Sequence, residues 1–169
     1  VIGDFNNDGL IDIVATNWGL NWRSKPTLNK PNRIYFGDLY GDGSTAAIEA
    51  SLIKNEWKPD RRLNILSAAL PAIRENVLTF EELGRSNVRN AFGSNIENLE
   101  FLDVVEFRSG VFINNFNAPM EFIPLPDRAQ LTVSFGVVVE DFDGDAFQDV
   151  FISQNFFATN PEYSRCDSG

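Results

Sequence analysis

Aspartate is unevenly distributed in this chain of 169 residues, and that distribution constrains the fold more than any other feature. Nine of the thirteen aspartates fall in three windows of nine residues, 4–12, 38–46 and 141–149. The formal charge is −10, so removing those nine negative charges leaves only −1 for the rest of the chain. Carboxylates packed this closely repel one another unless a cation lies among them. The fold must therefore accommodate three local clusters of negative charge.

Short apolar segments follow the first and third acidic windows. Residues 13–16 are Ile-Val-Ala-Thr, and residues 150–153 are Val-Phe-Ile-Ser. An acidic turn that leads into a β-rich segment is typical of a loop followed by a strand. Further strands are expected at about 33–37, 46–53, 101–107, 110–115 and 136–140. This spacing of short strands predicts a mainly β fold, either a sandwich, a barrel or a propeller.

Residues 60–93 interrupt the β pattern with helix signals. Asp60 is a candidate N-cap for a helix that places Leu63, Leu66 and Leu70 on one face and ends before Pro71. A second helix is expected over about 80–92, because Thr79 and Glu82 have the spacing of a capping box and Gly93 suits a helix end. The sequence therefore predicts a helical insert near 60–93.

Composition excludes several classes of function. The chain contains no histidine, which excludes His-based catalytic triads and His-ligated zinc, and its single cysteine, Cys166, cannot form an internal disulfide. We expect Cys166 to be a passive surface thiol. The net negative charge argues against a nucleic-acid partner, and no apolar stretch is long enough to span a membrane.

The first and third windows have the ligand spacing of a calcium-binding loop. Such a loop places oxygen ligands at positions 1, 3, 5 and 9, a backbone carbonyl at position 7, and a glycine at position 6 for the sharp turn. The predicted calcium ligands are Asp4, Asn6, Asp8, the carbonyl of Leu10 and Asp12 in the first window, and Asp141, Asp143, Asp145, the carbonyl of Phe147 and Asp149 in the third. Position 6 is Gly9 in the first window but Ala146 in the third.

Simple polar turns are the alternative, because Asp, Asn and Gly are common in turns. An EF-hand is excluded, since position 12 holds Ala15 and Ile152 rather than Glu and no helices flank the windows. The middle window keeps Asp38 and Asp42 at positions 1 and 5 but has Tyr at position 3 and Ala at position 9. We therefore expect a structural turn there, with Asp38 and Asp42 as weaker candidate ligands.

The two segments Asp-Phe-Asn-Asn-Asp-Gly-Leu-Ile-Asp-Ile-Val and Val-Glu-Asp-Phe-Asp-Gly-Asp-Ala-Phe-Gln-Asp-Val-Phe resemble FG-GAP (VCBS-type) repeats. The order of motifs along the chain is also similar to that of bacterial secreted proteins akin to cartilage acidic protein. This resemblance implies calcium loops within the antiparallel blades of an integrin-α-like β-propeller. Residues 1–169 would be one segment of a longer propeller, with blade elements at about 1–58 and 99–169 and a helical insert at about 59–98.

The expected function is a calcium-stabilised extracellular recognition or adhesion module that binds protein or glycan ligands. Its location would be secreted, cell-surface or periplasmic, and open blade edges would favour self-association. Two alternatives stay open: a structural scaffold for a neighbouring domain, and a calcium-dependent carbohydrate-active enzyme. The enzyme would need paired carboxylates, and Glu106, Glu121 and Glu140 are the candidates, although no motif links any two of them.

The three tryptophans, Trp18, Trp22 and Trp57, could stack on sugars or peptides. Aromatic residues on the strands of such a fold more often pack against neighbouring elements, so a structural role is the favoured interpretation. Residues 17–21, Asn-Trp-Gly-Leu-Asn, follow the first predicted calcium strand into a loop and are the segment expected to reach a ligand face.

Overall fold

The computed structural model describes residues 1–22 and 24–155, and these residues form a mainly β protein with antiparallel sheets and a few short helices. This confirms the predicted fold class at that level. The strands are β1 (Ile2–Gly3), β2 (Asp12–Ala15), β3 (Asn32–Gly37), β4 (Ala46–Ile53), β5 (Glu56–Pro59), β6 (Glu100–Val104), β7 (Gly110–Ile113), β8 (Glu121–Pro124), β9 (Ser134–Glu140) and β10 (Asp149–Gln154). No helix in this part of the chain is long and apolar enough to cross a membrane.

The chain divides into two compact units. The first combines the residues up to Lys25 with those from Phe107 onward, and it holds a four-stranded sheet in the order β1-β2-β7-β8 and a two-stranded ribbon of β9 and β10. The second spans Pro26–Glu106 and holds a four-stranded sheet in the order β5-β4-β3-β6. Every strand pair in these sheets is antiparallel.

The seven strands predicted from the sequence lie within three residues of their expected bounds. Three strands, β1, β5 and β8, were not predicted from the sequence. The β5 segment Glu-Trp-Lys-Pro and the β8 segment Glu-Phe-Ile-Pro each carry a charged residue and a proline, which weaken the strand signal. Both strands lie at a sheet edge, where a proline is tolerated.

The helical residues of the second unit lie between Leu63 and Asn98. Three short α-helices, α1 (Leu63–Ala69), α2 (Phe80–Arg85) and α3 (Val88–Phe92), alternate with 3₁₀ turns at Pro71–Glu75 and Ser94–Asn98. Thr79 and Glu82 form the predicted capping box at the start of α2, and Gly93 follows α3 with a φ of 80°.

Two helix predictions were wrong in detail. Asp60 does not cap α1: Arg62 is the N-cap residue and makes no capping bond, while the Asp60 carboxylate accepts hydrogen bonds from the Ser51 hydroxyl. The single helix expected over 80–92 is interrupted at Ser86, whose backbone is extended. The side chain of Asn87 then accepts a bond from the Asn90 amide and starts α3, because Ser and Asn readily bond to nearby backbone groups.

The helices cover one face of the second unit's sheet. The buried residues form one apolar cluster: Tyr35, Leu39, Ala46, Ile48, Ala50, Leu63, Leu66, Ile73, Val77, Leu83, Val88, Ala91, Phe92, Ile96 and Leu99. Members from the strands and the helices contribute together, so the helical residues are part of this unit's core. Burying apolar surface at about 25 cal/mol per Å² is the main stabilising term for such a cluster.

Arg33 joins three strands of the same sheet. Its guanidinium lies 4.1 Å from the ring centre of Trp57 and 3.6 Å from that of Phe101, and it forms a two-bond ion pair with Asp103. The hydrogen bond from Arg33 lowers the pKa of Asp103. Trp57 therefore has the structural role that was favoured from sequence.

In the first unit, the buried Gln130 side chain ties loop segments together. Its Oε1 accepts from the Ser109 amide at 2.9 Å, and its Nε2 donates to the carbonyls of Ser109 and Leu125 at 2.8 and 3.0 Å. The Leu20 amide donates to the Gln130 carbonyl at 2.7 Å. The buried side-chain amide of Gln130 therefore has hydrogen-bond partners for both its oxygen and its nitrogen. Its bonds to Ser109 hold the residue just before β7 in place. The predicted surface thiol, Cys166, lies outside the described residues.

Candidate metal loops

The acidic windows fold as three hairpin loops, which we call loop one (4–12), loop two (38–46) and loop three (141–149). Each connects two antiparallel strands, and in each the residue before position 1 pairs with position 9. The three pairs are Gly3 with Asp12, Gly37 with Ala46, and Glu140 with Asp149. The three loops therefore span the same gap between strands with the same number of residues.

The carboxylate at position 1 organises the backbone of each loop. In loop one, Asp4 accepts hydrogen bonds from the amides of Asp8 and Gly9, at positions 5 and 6, with distances of 3.1 and 2.9 Å. The same two bonds recur in the other loops: Asp42 and Gly43 donate to Asp38 at 3.1 and 2.9 Å, and Asp145 and Ala146 donate to Asp141 at 3.1 and 3.0 Å. Hydrogen bonds to a charged acceptor are stronger than neutral ones, so these bonds hold the turn closed.

The carboxylate at position 5 makes a further bond that is common to all three loops. It accepts from the backbone amide at position 7 with a distance of 2.8 Å, in the pairs Asp8 and Leu10, Asp42 and Ser44, and Asp145 and Phe147. The carbonyls of Leu10 and Phe147 are the predicted calcium ligands at position 7. The amides of the same two residues are held in place by these hydrogen bonds.

Positions 4 and 6 have left-handed backbone conformations in every loop. At position 4 the φ values are 57° for Asn7, 73° for Gly41 and 80° for Gly144, and at position 6 they are 84° for Gly9, 83° for Gly43 and 71° for Ala146. Ala146 therefore adopts the conformation that glycine holds in the other two loops. A left-handed conformation costs an L-residue roughly 1–2 kcal/mol, so the bonds of loop three offset that strain.

Position 9 distinguishes loops one and three from loop two. Asp12 and Asp149 each accept a bond from the amide at position 2 at 3.0 Å, whereas loop two has Ala46 at this position. Asp12 is fully buried, and its second oxygen accepts from the Asn114 amide at 2.8 Å. Asn114 was not among the predicted site residues, and its only sequence signal is an Asn-Asn pair directly after a strand.

Loop three gathers the densest set of acidic oxygens. Asp141, Asp143 and Asp149 each place one carboxylate oxygen within 4.8 Å of the others, and no other such acidic trio occurs in residues 1–22 and 24–155. Asp145 stands apart from this trio. In loop one, position 3 is Asn6, whose amide nitrogen donates to Asp8 at 2.9 Å and so offsets part of the charge there.

Loops one and three contact each other within the first unit. The Asp4 amide donates to Oε1 of Gln148 at 2.8 Å, and the Asn7 side chain donates to the Ala146 carbonyl at 3.3 Å. A Cβ on Gly3 would collide with the same Gln148 oxygen, so a larger residue there would displace this side chain from the Asp4 amide. No sequence signal identified Gln148, because a position-8 glutamine has no role in the ligand pattern.

In loop two, a side chain adds a hydrogen bond to the carboxylate at position 5. The Ser44 hydroxyl and amide both donate to Asp42, and these bonds lower the pKa of that carboxyl. Tyr40, at position 3, is half-buried, and its hydroxyl has no hydrogen-bond partner among the described residues. Loop two therefore has the common backbone without the oxygen ligands at positions 3 and 9.

The segment 17–21 follows β2 and is fixed by the backbone of the first unit. The Asn17 amide donates to the Ser109 hydroxyl at 3.0 Å, and the Gly19 amide donates to the Phe107 carbonyl at 2.7 Å. Trp18 and Trp22 pack against each other with ring centres 4.7 Å apart, and both are half-buried. Part of this aromatic pair thus faces solvent from a rigid loop.

The other acidic candidates are distributed over separate elements. Glu121 is exposed in β8, and Glu140 is exposed at the end of β9. Glu106 is half-buried next to the boundary between the two units.

No family model, curated protein or solved structure matches this chain.

Ala146 offers a direct test of the loop geometry. Replacing it with glycine (Ala146→Gly) should stabilise the protein by about 1 kcal/mol, because glycine adopts a positive φ without steric cost. Chemical denaturation in calcium-free buffer measures this change.

Two matched variants accompany that measurement. Gly9→Ala places alanine at the equivalent position of loop one, where φ is 84° and the space is open, and it should destabilise by about 1 kcal/mol. Gly84→Ala, in helix α2 with open space and an ordinary φ, should instead stabilise by a similar amount. Equal effects of Gly9→Ala and Gly84→Ala would contradict the conformational argument.

Proposed function

We propose that this chain is a segment of a calcium-stabilised β-propeller that acts as an extracellular recognition or adhesion module. The observation that carries the proposal is the recurrence of one acidic hairpin loop three times, with the same strand register and the same carboxylate-to-amide bonds. Repetition of a hairpin with its loop is the mark of a repeat architecture in which each unit is a blade.

The oxygen ligands in loops one and three suit a hard divalent cation. Calcium prefers six to eight oxygens from carboxylates, amide side chains and backbone carbonyls, and both loops offer only oxygen ligands. The residues that would hold the ion are those at positions 1, 3, 5, 7 and 9: Asp4, Asn6, Asp8, Leu10 and Asp12 in loop one, and Asp141, Asp143, Asp145, Phe147 and Asp149 in loop three. The ion would supply positive charge that neutralises the carboxylates.

An extracellular location agrees with this kind of site. Extracellular calcium modules typically bind the ion with dissociation constants of about 10⁻⁴–10⁻³ M. In this proposal calcium is structural, and it rigidifies the contact between loops one and three through Gln148 and Asn7.

The antiparallel sheets support the blade assignment, and the resemblance to FG-GAP repeats supplies the propeller architecture. Blades bury their faces against neighbouring blades. Large apolar side chains are exposed on the strands of this segment, among them Leu102, Phe135, Val138 and Phe151. Such faces favour contact with further blades or with other chains.

The recognition surface that we propose is the segment 17–21 with the Trp18 and Trp22 pair. It continues from β2, whose first residue is the position-9 ligand Asp12, so an ion in loop one would stiffen the base of this segment. Partly exposed indole rings on a rigid loop provide stacking surfaces for sugar rings or peptide aromatics.

Calorimetric melting with and without calcium tests the ion sites. At a calcium concentration 100 times the dissociation constant, one site adds roughly 2.7 kcal/mol, which for a chain of this size raises the melting temperature by about 5–11 °C relative to EDTA. Asp143→Asn and Asp8→Asn should each reduce this rise and change the melt in EDTA little.

The control variant is Asp127→Asn, which removes an exposed carboxylate in a 3₁₀ turn outside the loops. It should keep the full calcium response. Magnesium at the same concentration should give a smaller rise, because it demands a tighter octahedral geometry. Coincident wild-type curves in calcium and EDTA would contradict the proposal.

Screening on glycan and protein arrays tests the recognition function. We expect binding in millimolar calcium that falls at least tenfold in EDTA, and a comparable loss with Trp22→Ala at unchanged melting temperature. Phe80→Ala is the matched control, since it removes an exposed aromatic side chain from the second unit. Binding that is equal for the wild type and both variants would exclude the tryptophan pair as the recognition surface.

A further inference from the structure

Two side chains that are not predicted calcium ligands join loop one to loop three. Oε1 of Gln148 accepts from the Asp4 amide at 2.8 Å, and the side chain of Asn7 donates to the Ala146 carbonyl at 3.3 Å. Gln148 and Asn7 are exposed, and they occupy position 8 of loop three and position 4 of loop one. Changing these two side chains would therefore leave every predicted ligand in place.

This contact lies where the two loops depart from glycine. Position 4 is Gly41 in loop two and Gly144 in loop three but Asn7 in loop one, and position 6 is glycine in loops one and two but Ala146 in loop three. Asn7 and Ala146 both have left-handed backbones, with φ values of 57° and 71°. Asparagine adopts this conformation more readily than most residues with a side chain. Loop one thus keeps the common turn and gains a donor that reaches loop three.

The contact connects the backbone segments that carry the predicted ligands. Asp4 is position 1 of loop one, and its partner Gln148 lies between positions 7 and 9 of loop three. Asn7 lies between positions 3 and 5 of loop one, and its partner Ala146 lies between positions 5 and 7 of loop three. An ion that fixes the ligands of one loop therefore also fixes that loop's half of the contact.

The strands that lead into the two loops also lie close together. Gly3, the last residue of β1, is buried, and a Cβ at this position would lie 3.2 Å from Cγ1 of Val139 in β9. The two hydrogen bonds therefore form between loops whose supporting strands already contact each other. This packing limits how far one loop moves without the other.

We infer that Gln148 and Asn7 couple the calcium sites of loops one and three, so that an ion in either loop raises the calcium affinity of the other. This inference rests on the proposed function. The first ion orders its own loop and, through the contact, part of the second loop. The second ion then binds a loop that has already lost conformational freedom, so less entropy opposes its binding. The coupling is reciprocal, because linkage requires the same factor in both directions.

Repulsion between the two ions opposes this coupling. The first ion weakens the negative potential that attracts the second, although the seven aspartates of the two loops carry more charge than two calcium ions neutralise. Salt screens this repulsion, because the Debye length falls from about 8 Å at physiological ionic strength to about 3 Å at 1 M. The hydrogen bonds of the contact join uncharged groups and are not screened in this way. The favourable coupling should therefore increase with salt.

Calcium titrations of the whole chain, followed by NMR, test this inference. The amides of Gly9 and Gly144 donate to the position-1 carboxylates of loops one and three, so their resonances report the two loops separately. Asp8→Asn changes a ligand of loop one only, yet the dissociation constant reported by Gly144 should rise about fivefold or more. Asp143→Asn should raise the constant reported by Gly9 by a similar factor.

Variants of the contact show whether these two side chains transmit the effect. Gln148→Met removes the acceptor at similar length, and Asn7→Gly removes the donor while giving position 4 the glycine of the other loops. In the double variant, Asp8→Asn should no longer change the constant reported by Gly144. Gln148→Glu keeps an acceptor and should preserve the coupling. Asn117→Gly, at an exposed asparagine between β7 and β8, is the matched control and should keep the full effect. Melting in EDTA confirms that each variant is folded.

Three outcomes would overturn the inference, and only the first also overturns the proposed function. The first is the absence of calcium binding by the wild type. The second is binding of two ions with Asp8→Asn leaving the affinity of loop three unchanged or increased, which would show independent sites or dominant ion repulsion. The third is an effect of Asp8→Asn that persists in the double variant, which would assign the coupling to a part of the first unit other than Gln148 and Asn7.

Discussion

The first carboxylate of each acidic loop fixes the turn on which the rest of the hairpin depends. Asp4, Asp38 and Asp141 each bind the amides at positions 5 and 6 of their own loop. These bonds satisfy backbone donors that a sharp turn would otherwise leave without partners. Because the turn length is then constant, each hairpin pairs the residue before the loop with position 9. The register of these three hairpins follows from this one interaction.

The same bonds explain how closely spaced carboxylates coexist in one loop. Backbone amides point at the carboxylates and offset part of their mutual repulsion, in the manner of an anion-binding nest. The carboxylates are most crowded in loop three, where Asp141, Asp143 and Asp149 converge within 4.8 Å. Loop one replaces one carboxylate with Asn6, and loop two replaces two ligand positions with Tyr40 and Ala46. The three loops share one backbone conformation, and their negative charge increases from loop two through loop one to loop three.

Sequence patterns predicted the local structure of this chain well, because local bonds determine it. The acidic windows, the capping box at Thr79 and the left-handed conformation at Ala146 all depend on residues within nine positions of one another. Contacts between distant segments had no such signal. Gln148 on Asp4, Asn114 on Asp12 and Gln130 on Ser109 join residues 144, 102 and 21 positions apart. The helix break at Ser86 was missed because the apolar spacing continues across it while the side chains of Ser86 and Asn87 bond to the backbone.

Calcium stoichiometry tests the central claim most directly, namely that loops one and three are ion sites built on a common turn. Equilibrium dialysis with radioactive calcium, up to millimolar concentration, should find two ions per chain. Asp8→Asn and Asp143→Asn should each lower the number or affinity of the ions bound at its own loop, and the double variant should bind none tightly. Loop two should contribute no third ion of comparable affinity. Absence of saturable calcium binding by the wild type, or an unchanged count in the double variant, would contradict the account.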